Sequence, residues 1–181
     1  VVGFGVPTPE EQAHHFLWRH ERALPTPGRI TLFDRSHYEQ VLVVRVHDLA
    51  PWDGAYDEIN AWEERLVADG VTLLKVMLHI SREEQAERLL ERLDDPTKHW
   101  KYNPGDVDER RLWAAYQAAY EEMLRRCSTP AAPWFVVPAN RKWHRDWLLS
   151  RLLVETLEEV PTAWPSATFD PVVEAERVRA S

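Results

Sequence analysis

Four short apolar runs, Val1–Val6, Ile30–Phe33, Val71–Ile80 and Trp134–Val137, alternate along the chain with stretches of helical period, and that alternation leaves few folds open. Each run has the length of a strand. The segments between them repeat their apolar residues at three- and four-residue intervals, as helices covering a sheet do. Strands joined through helices predict a mainly parallel sheet with helices on both faces, a three-layer α/β/α sandwich. Such sheets take ligands at the carboxyl ends of their strands, which here are Asp34, His79–Ser81 and Pro138–Asn140.

Local signals divide the chain further. Thr8, Pro9 and Glu11 read as a helix N-terminus, with a capping hydroxyl, proline at the first helical position and a carboxylate in the first turn. The helix they open is expected to reach about Leu24. Val41, Leu42 and Arg45 mark a helix after the second strand, Tyr56–Asp69 one that ends at Gly70, and Lys142–Glu159 the last long one. Ser81 and Glu84 form a capping-box pattern for a helix through about Leu93, and Asp106 or Asp108 is placed to cap a long helix to Arg126. Between them DDPTKHWKYNPGD breaks the periodicity for a length typical of functional loops. Val71–Ile80 is too apolar for an exposed strand and is expected to be central. Residues 1–160 read as one domain with residues about 82–126 as a lid, and 161–181 as a peripheral or mobile tail.

The composition, 44% hydrophobic and 29% charged, is that of a globular domain. A net charge of -8 argues against nucleic acid as a partner while leaving room for a local basic groove. No apolar run is long enough to span a membrane, and nothing resembles a signal peptide. The single Cys127 has no disulfide partner in the chain and fits a reducing, cytoplasmic setting as a bystander thiol.

Two groups of residues can carry chemistry. In Phe33-Asp34-Arg35-Ser36 an apolar strand ends in a carboxylate followed at once by a guanidinium. A strand-end Asp can hold Mg²⁺ and the adjacent Arg can neutralise phosphate oxygens; equally, the pair can do no more than cap the next helix. The second group is a run of cations, Arg88, Arg92, Lys98, Lys101, Arg110 and Arg111, around a loop that has no carboxylate between Pro96 and Pro104. A mobile lid over phosphates needs such charge, although a solvated helical hairpin with pairs such as Glu84–Arg88 has the same pattern. The histidines lack metal-site spacing, so no zinc is assigned. Neither a GxSxG elbow nor an activated cysteine supports nucleophilic catalysis.

Three blocks in order and register, FDRSHYEQVLVVRVH, HISREEQAERLLERLDDPTKHWKYNPGD and APWFVVPANRKW, resemble the polyphosphate kinase 2 family, over nearly all of Val1 to about Glu159. The wording SHYEQVLVVRVH looks most like the branch that accepts AMP as well as ADP. The resemblance implies a P-loop kinase fold similar to thymidylate kinase with a helical lid, and Mg²⁺-dependent phosphoryl transfer between inorganic polyphosphate and a nucleoside mono- or diphosphate. It implies that Asp34 lies at the metal and acceptor phosphate, that Arg35 and Arg45 contact phosphates with Glu39 in support, and that Arg19 faces the nucleotide phosphate. Arg88, Arg92, Lys98 and Lys101 would belong to the lid that grips polyphosphate, and the assembly would be a dimer or tetramer.

The sequence departs from the family in two places. His15 stands where many relatives carry an acidic residue, and the glycine-rich GxxxxGK loop that precedes VVGFGV in the family is not in the chain, which opens without Met directly on a strand. Further residues upstream are therefore expected. In their absence the central sheet should show a gap with exposed strand edges and an apolar slot. Two rival readings are an ATP-dependent nucleotide or small-molecule kinase on the same fold and a non-catalytic polyphosphate-binding remnant.

Overall fold

The computed structural model describes residues 1–161, 163 and 166–181. The strands are β1 (Val2–Gly3), β2 (Phe33–Asp34), β3 (Lys75–His79) and β4 (Trp134–Pro138), and every pairing among them is parallel. Val2 faces Phe33 across the first pair; Lys75 faces Trp134 and His79 faces Pro138 across the second. Among the described residues β2 and β3 are not paired, so the sheet is in two halves, β1–β2 and β3–β4. The expected gap is there. Its neighbourhood is apolar and open: Ile30 and Leu32 before β2, and Leu78 in β3, are exposed. Val71–Ile80 is thus less buried than its composition predicts, because one edge of β3 has no neighbour.

Helices α1 (Pro9–Gln12), α2 (Trp18–Glu21), α3 (Val43–Val46) and α4 (Ala55–Ala68) occupy the first half of the chain. The full Thr8–Glu11 capping box forms, with Pro9 in the first turn. The single helix expected up to Leu24 does not form. It breaks at His15, whose ring accepts the Leu17 N–H at 3.4 Å and meets the Glu58 carboxylate of α4 at 2.6 Å. A tertiary contact here outweighs local helix periodicity. Beyond β2, a 3-10 turn (His37–Gln40) leads into α3, and Val41 and Leu42 are buried as expected. Helix α4 closes on Asp69 and Gly70, the glycine taking φ 88° where other residues are strained.

The second half holds α5 (Arg82–Asp94), a 3-10 turn (Pro96–Lys101), α6 (Gly105–Arg111), α7 (Trp113–Cys127), α8 (Lys142–Glu159) and α9 (Pro171–Ala180). Half of the Ser81–Glu84 capping box is realised: the Ser81 hydroxyl accepts from Glu84 N at 3.1 Å, but the Glu84 carboxylate goes to Arg88 and Ser81 N donates to the Asn140 side chain. Neither Asp106 nor Asp108 is the cap of the next helix. Both lie in the first turn of α6, where their negative charge complements the positive end of the helix dipole, and the expected long helix is interrupted at Leu112. Helix α9 lies in the tail where no periodicity announces it; Asp170 caps it with bonds to Val172 N and Val173 N, and Pro171 follows in the first turn. The tail positions Thr162, Trp164 and Pro165 lie outside the described residues.

The core sits between α4, α7 and the turn after β2. Tyr38, Val41, Tyr56, Ile59, Ala119, Met123 and Cys127 pack together there, and Leu17, Trp62 and Leu66 form a smaller cluster. Each large side chain fully buried in this way contributes about 1.5–3 kcal/mol. Cys127 is part of this core, and burial pushes its thiol up to about 11, so it is a packing residue and not a nucleophile.

Candidate active site

The carboxyl end of β2 is short and tightly framed. Phe4 N–H donates to the Asp34 carbonyl at 3.0 Å, which fixes the last residue of the strand. Arg35 then takes φ 63°, the left-handed region that costs a side-chain-bearing residue roughly 1 kcal/mol or more. That turn reverses the chain into Ser36, whose hydroxyl caps the His37–Gln40 turn by accepting from Tyr38 N. Asp34 and Arg35 are both exposed, and among the described residues neither side chain makes a hydrogen bond or ion pair within the protein. A carboxylate and a guanidinium left free at the end of a parallel strand can meet a cation and an anion. The alternative, in which the pair caps the following helix, does not hold, because Ser36 does that work.

Glu39 extends the site. Burial raises its carboxyl above the ordinary range, while the positive charges of Arg35 and Arg19 pull it down. Glu39 therefore lies within electrostatic reach of both arginines. Arg19 comes from α2, crosses over the Phe4 ring at 5.2 Å, donates to the Gly5 carbonyl at 3.0 Å and lies 3.8 Å from Glu11. Arg19, Arg35 and Glu39, carried by α2, the turn after β2 and the 3-10 turn, are thus linked by charge without a direct ion pair to Glu39 among the described residues. Arg45 is oriented differently: it donates to the Tyr56 hydroxyl at 2.7 Å and stacks over Trp52 at 4.6 Å.

Cations of the expected lid divide into held and free. Arg88 binds Glu84 and donates to the carbonyls of Ala139 and Asn140 at 2.6 and 3.2 Å, tying α5 to the end of β4. Arg92 reaches the Lys101 carbonyl at 3.3 Å and lies 3.6 Å from Asp106. Lys98 pairs with Asp95 at 3.0 Å in a half-exposed i,i+3 contact, worth a fraction of about 1 kcal/mol. Lys101 lies 4.9 Å from the ring of Trp100, which is 79% exposed. One further cluster links this lid to the site: His47 Nε2 and the Tyr116 hydroxyl both meet Glu109, at 3.0 and 2.7 Å, and these bonds hold the Glu109 carboxyl below its ordinary range.

Sequence reasoning missed a buried polar group under the site. Lys75 Nζ donates to Glu63 Oε2 at 2.6 Å, the Tyr38 hydroxyl at 2.8 Å and the Cys127 carbonyl at 2.7 Å. Glu63 Oε1 receives the Tyr38 hydroxyl at 2.8 Å and His37 Nε2 at 3.1 Å. Burial pushes the Glu63 carboxyl up, but the donors His37 and Lys75 outweigh it and leave it ionised below its ordinary range. A signal existed. Lys75 interrupts the apolar run VTLLKVMLHI, and Glu63 lies at i+4 from Ile59 on the apolar face of α4, so opposite charges stand where the pattern asks for aliphatic side chains.

The family model for Polyphosphate kinase 2 matches residues 1–163. The chain belongs to the polyphosphate kinase 2 family. It is 51% identical over 168 residues to the AMP/ADP-polyphosphate phosphotransferase of Meiothermus ruber, covering 91% of this chain and 63% of the relative. It is 38% identical over 183 residues to the ADP-polyphosphate phosphotransferase of Rhodopseudomonas palustris, covering 93% of this chain and 63% of that protein. The crystal structure of polyphosphate kinase 2 from Arthrobacter aurescens superposes with a TM-score of 0.95 at 46% identity, over 99% of this chain and 65% of the other. The chain thus spans a little under two thirds of the length of these relatives. The polyphosphate kinase 2 likeness carries the P-loop kinase fold expected from the sequence.

The metal that the family implies can be tested against the donor set. Among the described residues no group of three or more His, Cys, Asp or Glu side chains could hold an ion. Mg²⁺ does not require one, since it is commonly bound by one or two carboxylates together with substrate phosphates and water. Asp34, exposed and without a protein partner, fits that mode.

Proposed function

We propose that this chain forms most of the catalytic domain of an enzyme that transfers a phosphoryl group, with Mg²⁺, between inorganic polyphosphate and a nucleoside mono- or diphosphate. The exposed Asp34 carboxylate and Arg35 guanidinium, both without a protein partner among the described residues at the carboxyl end of β2, carry the reading, and the names of relatives at 51% and 38% identity support polyphosphate with AMP or ADP as the substrates. Asp34 would hold the Mg²⁺, which when bound neutralises phosphate oxygens. Arg35 would neutralise charge on the transferring group, and Arg19, kept extended by Phe4 and the Gly5 carbonyl, would meet the nucleotide phosphate. Glu39 would balance the charge of the two arginines. The attacking nucleotide oxygen is already anionic, so no general base is needed and the residues act by positioning and charge neutralisation.

Lys98, Lys101 and Arg92 would close over the polyphosphate chain, with Trp100 at the tip of that loop. Arg88 would set the lid's root, and Arg45 would reach phosphate only by leaving Tyr56. A phosphate-binding loop from outside this chain would complete the site, its strand filling the gap between β2 and β3. The protein would act in the cytoplasm as a homo-oligomer, a dimer or tetramer, and exposed Trp143, Trp147 and Val154 on α8 are suited to such an interface. No helix of the described residues is long and apolar enough to cross a membrane.

The test is a donor assay on the full-length protein. Formation of ADP or ATP from AMP or ADP with polyphosphate and Mg²⁺ alone is the expected result. Strict dependence on ATP as donor would favour a conventional nucleotide kinase on the same fold, and binding of polyphosphate without turnover would favour a non-catalytic module.

A further inference from the structure

The Glu63–Lys75 pair is costly to bury and does not itself reach the site, yet it touches the one segment that must be held still. Glu63 comes from α4, Lys75 opens β3, and the Cys127 carbonyl ends α7. Glu63 accepts from the side chains of Tyr38 and His37 in the 3-10 turn, while Lys75 donates to the Tyr38 hydroxyl and to the Cys127 carbonyl. These side chains are nearly closed to solvent: Glu63 is 1% exposed, Tyr38 2%, and Lys75 and His37 8%. All three donors of the Lys75 ammonium are used, and both Glu63 oxygens accept.

The turn they hold begins two residues after Arg35, whose φ of 63° is unfavourable for an arginine. On the other side of Arg35 the Asp34 carbonyl is fixed by Phe4 N–H. The left-handed residue is thus bracketed by the β1–β2 pairing before it and by the buried polar group after it. Strained backbone persists at a site only where its surroundings over-determine it.

We propose that Glu63, Lys75 and Tyr38 are positioning residues for Arg35. Their hydrogen bonds clamp the far side of the left-handed turn and so aim the guanidinium at the transferring phosphate. A buried ion pair is a weak source of net stability compared with apolar residues of the same volume. Its value lies in direction. An aliphatic cluster would fill the space, but it would leave the rotation of the turn about its own axis unspecified, whereas each bond to the Tyr38 hydroxyl fixes an angle. The inference rests on the functional reading above, in which Arg35 meets phosphate.

Full-length protein is the material, and kcat and the KM values for nucleotide and polyphosphate are measured for wild type, Tyr38→Phe, Glu63→Gln, Arg35→Ala and the two doubles that combine Arg35→Ala with the others. Tyr38→Phe is expected to lower kcat about tenfold with the nucleotide KM changed by less than about twofold, the signature of a misplaced catalytic group. In the Arg35→Ala background the same substitutions should change kcat by less than about twofold, since the group they aim is gone. Effects that multiply in the doubles, or a Tyr38→Phe enzyme with wild-type kcat, would overturn the proposal. Should Glu63→Gln fail to fold, Tyr38→Phe carries the test alone, because it deletes one hydroxyl and leaves the ion pair in place. The two readings fail differently. A wild type that takes nothing from polyphosphate, or an Arg35→Ala enzyme as fast as wild type, sinks the functional reading and this inference with it; a slow Arg35→Ala enzyme with multiplicative doubles sinks this inference alone.

Discussion

Mild acid should unfold this protein through its buried histidines, and His20 gives the effect a size. Its ring lies 1% exposed between Phe4, at 4.2 Å, and His37, at 5.7 Å, and its Nδ1 has no hydrogen-bond partner. Burial, with the nearby His37 and Arg19, pushes its folded-state pKa down to about 3. In the unfolded chain the imidazole titrates near ~6.5. Above that value both states are neutral and the full stability is present. As pH falls below it the unfolded state takes up a proton that the native state refuses, and stability drops by ~1.4 kcal/mol per pH unit until the folded value is reached. Between about pH 7.5 and about pH 5 that amounts to ~2 kcal/mol from His20 alone. His37, also held low by burial, adds a loss of the same sign. Glu63 does not contribute in this window, because a carboxyl lowered in the native state loses its stabilisation only as pH falls below the ordinary carboxylate range. Urea unfolding followed by tryptophan fluorescence at several pH values reads the slope directly. His20→Phe keeps an aromatic ring in the Phe4 contact and removes the titrating group, so its stability should fall about one proton less steeply over the same range. Parallel slopes for wild type and variant would show that the buried imidazole is not what acid attacks.

Other perturbations separate stability from catalysis. Asp34→Asn in the full-length protein should leave the unfolding midpoint within ~1 °C, because the side chain is exposed and bonds nothing in the protein, while turnover with polyphosphate falls by about 10² or more. Equal turnover would remove Asp34 from the site. Lys75→Met strands a buried carboxylate and is expected to cost ~3–5 kcal/mol, most of it recovered when Glu63→Leu is added; a double variant no more stable than the single would refute the pairing. Ser81→Ala removes the α5 cap and should lower stability by ~1 kcal/mol in denaturant titration, a loss that Ser81→Thr largely avoids.

How far the sequence reveals this molecule depends on the range of the interactions involved. The Thr8–Glu11 box, the end of α4 at Gly70 and the whole of α8 are set by neighbours within a few residues, and the sequence predicts them. The break between α1 and α2 depends on a contact from His15 to Glu58, 43 residues away, which no local pattern contains. Helix α9 is missed for a different reason: its residues are mostly exposed, so there is little apolar periodicity to read, and only Asp170-Pro171 marks it. At the site, Asp34 and Arg35 stand out because they end an apolar run. Glu39 has no such local mark, because its link to Arg19 and Arg35 is electrostatic and spans separate elements of the fold.

In the lid proposed above, one cationic helix would be both anchor and moving part. Its charges grade from fixed to free with distance from the sheet. Arg88 is bound by Glu84 and by two carbonyls after β4, and Ser81 N–H and the Asn140 side chain close the same junction at 2.9 Å. Such a root cannot swing without breaking charge-assisted bonds. Farther out, Lys98 and Lys101 have only half-exposed or exposed contacts, which exchange readily with water or with a competing anion. Displacing the Lys98 and Lys101 side chains therefore costs little, and displacing the Arg88 root costs much. The Glu109 bond to His47 ties α6 back to the segment after β2, and the Tyr116 hydroxyl braces the same carboxylate from α7, so the loop from Pro96 to Pro104 is tethered at both ends. On the proposed reading an incoming polyanion would meet weakly held cations at the tip and a firmly bonded arginine at the base, an arrangement that would let binding energy close a lid without disturbing the groups that position the transferring phosphate.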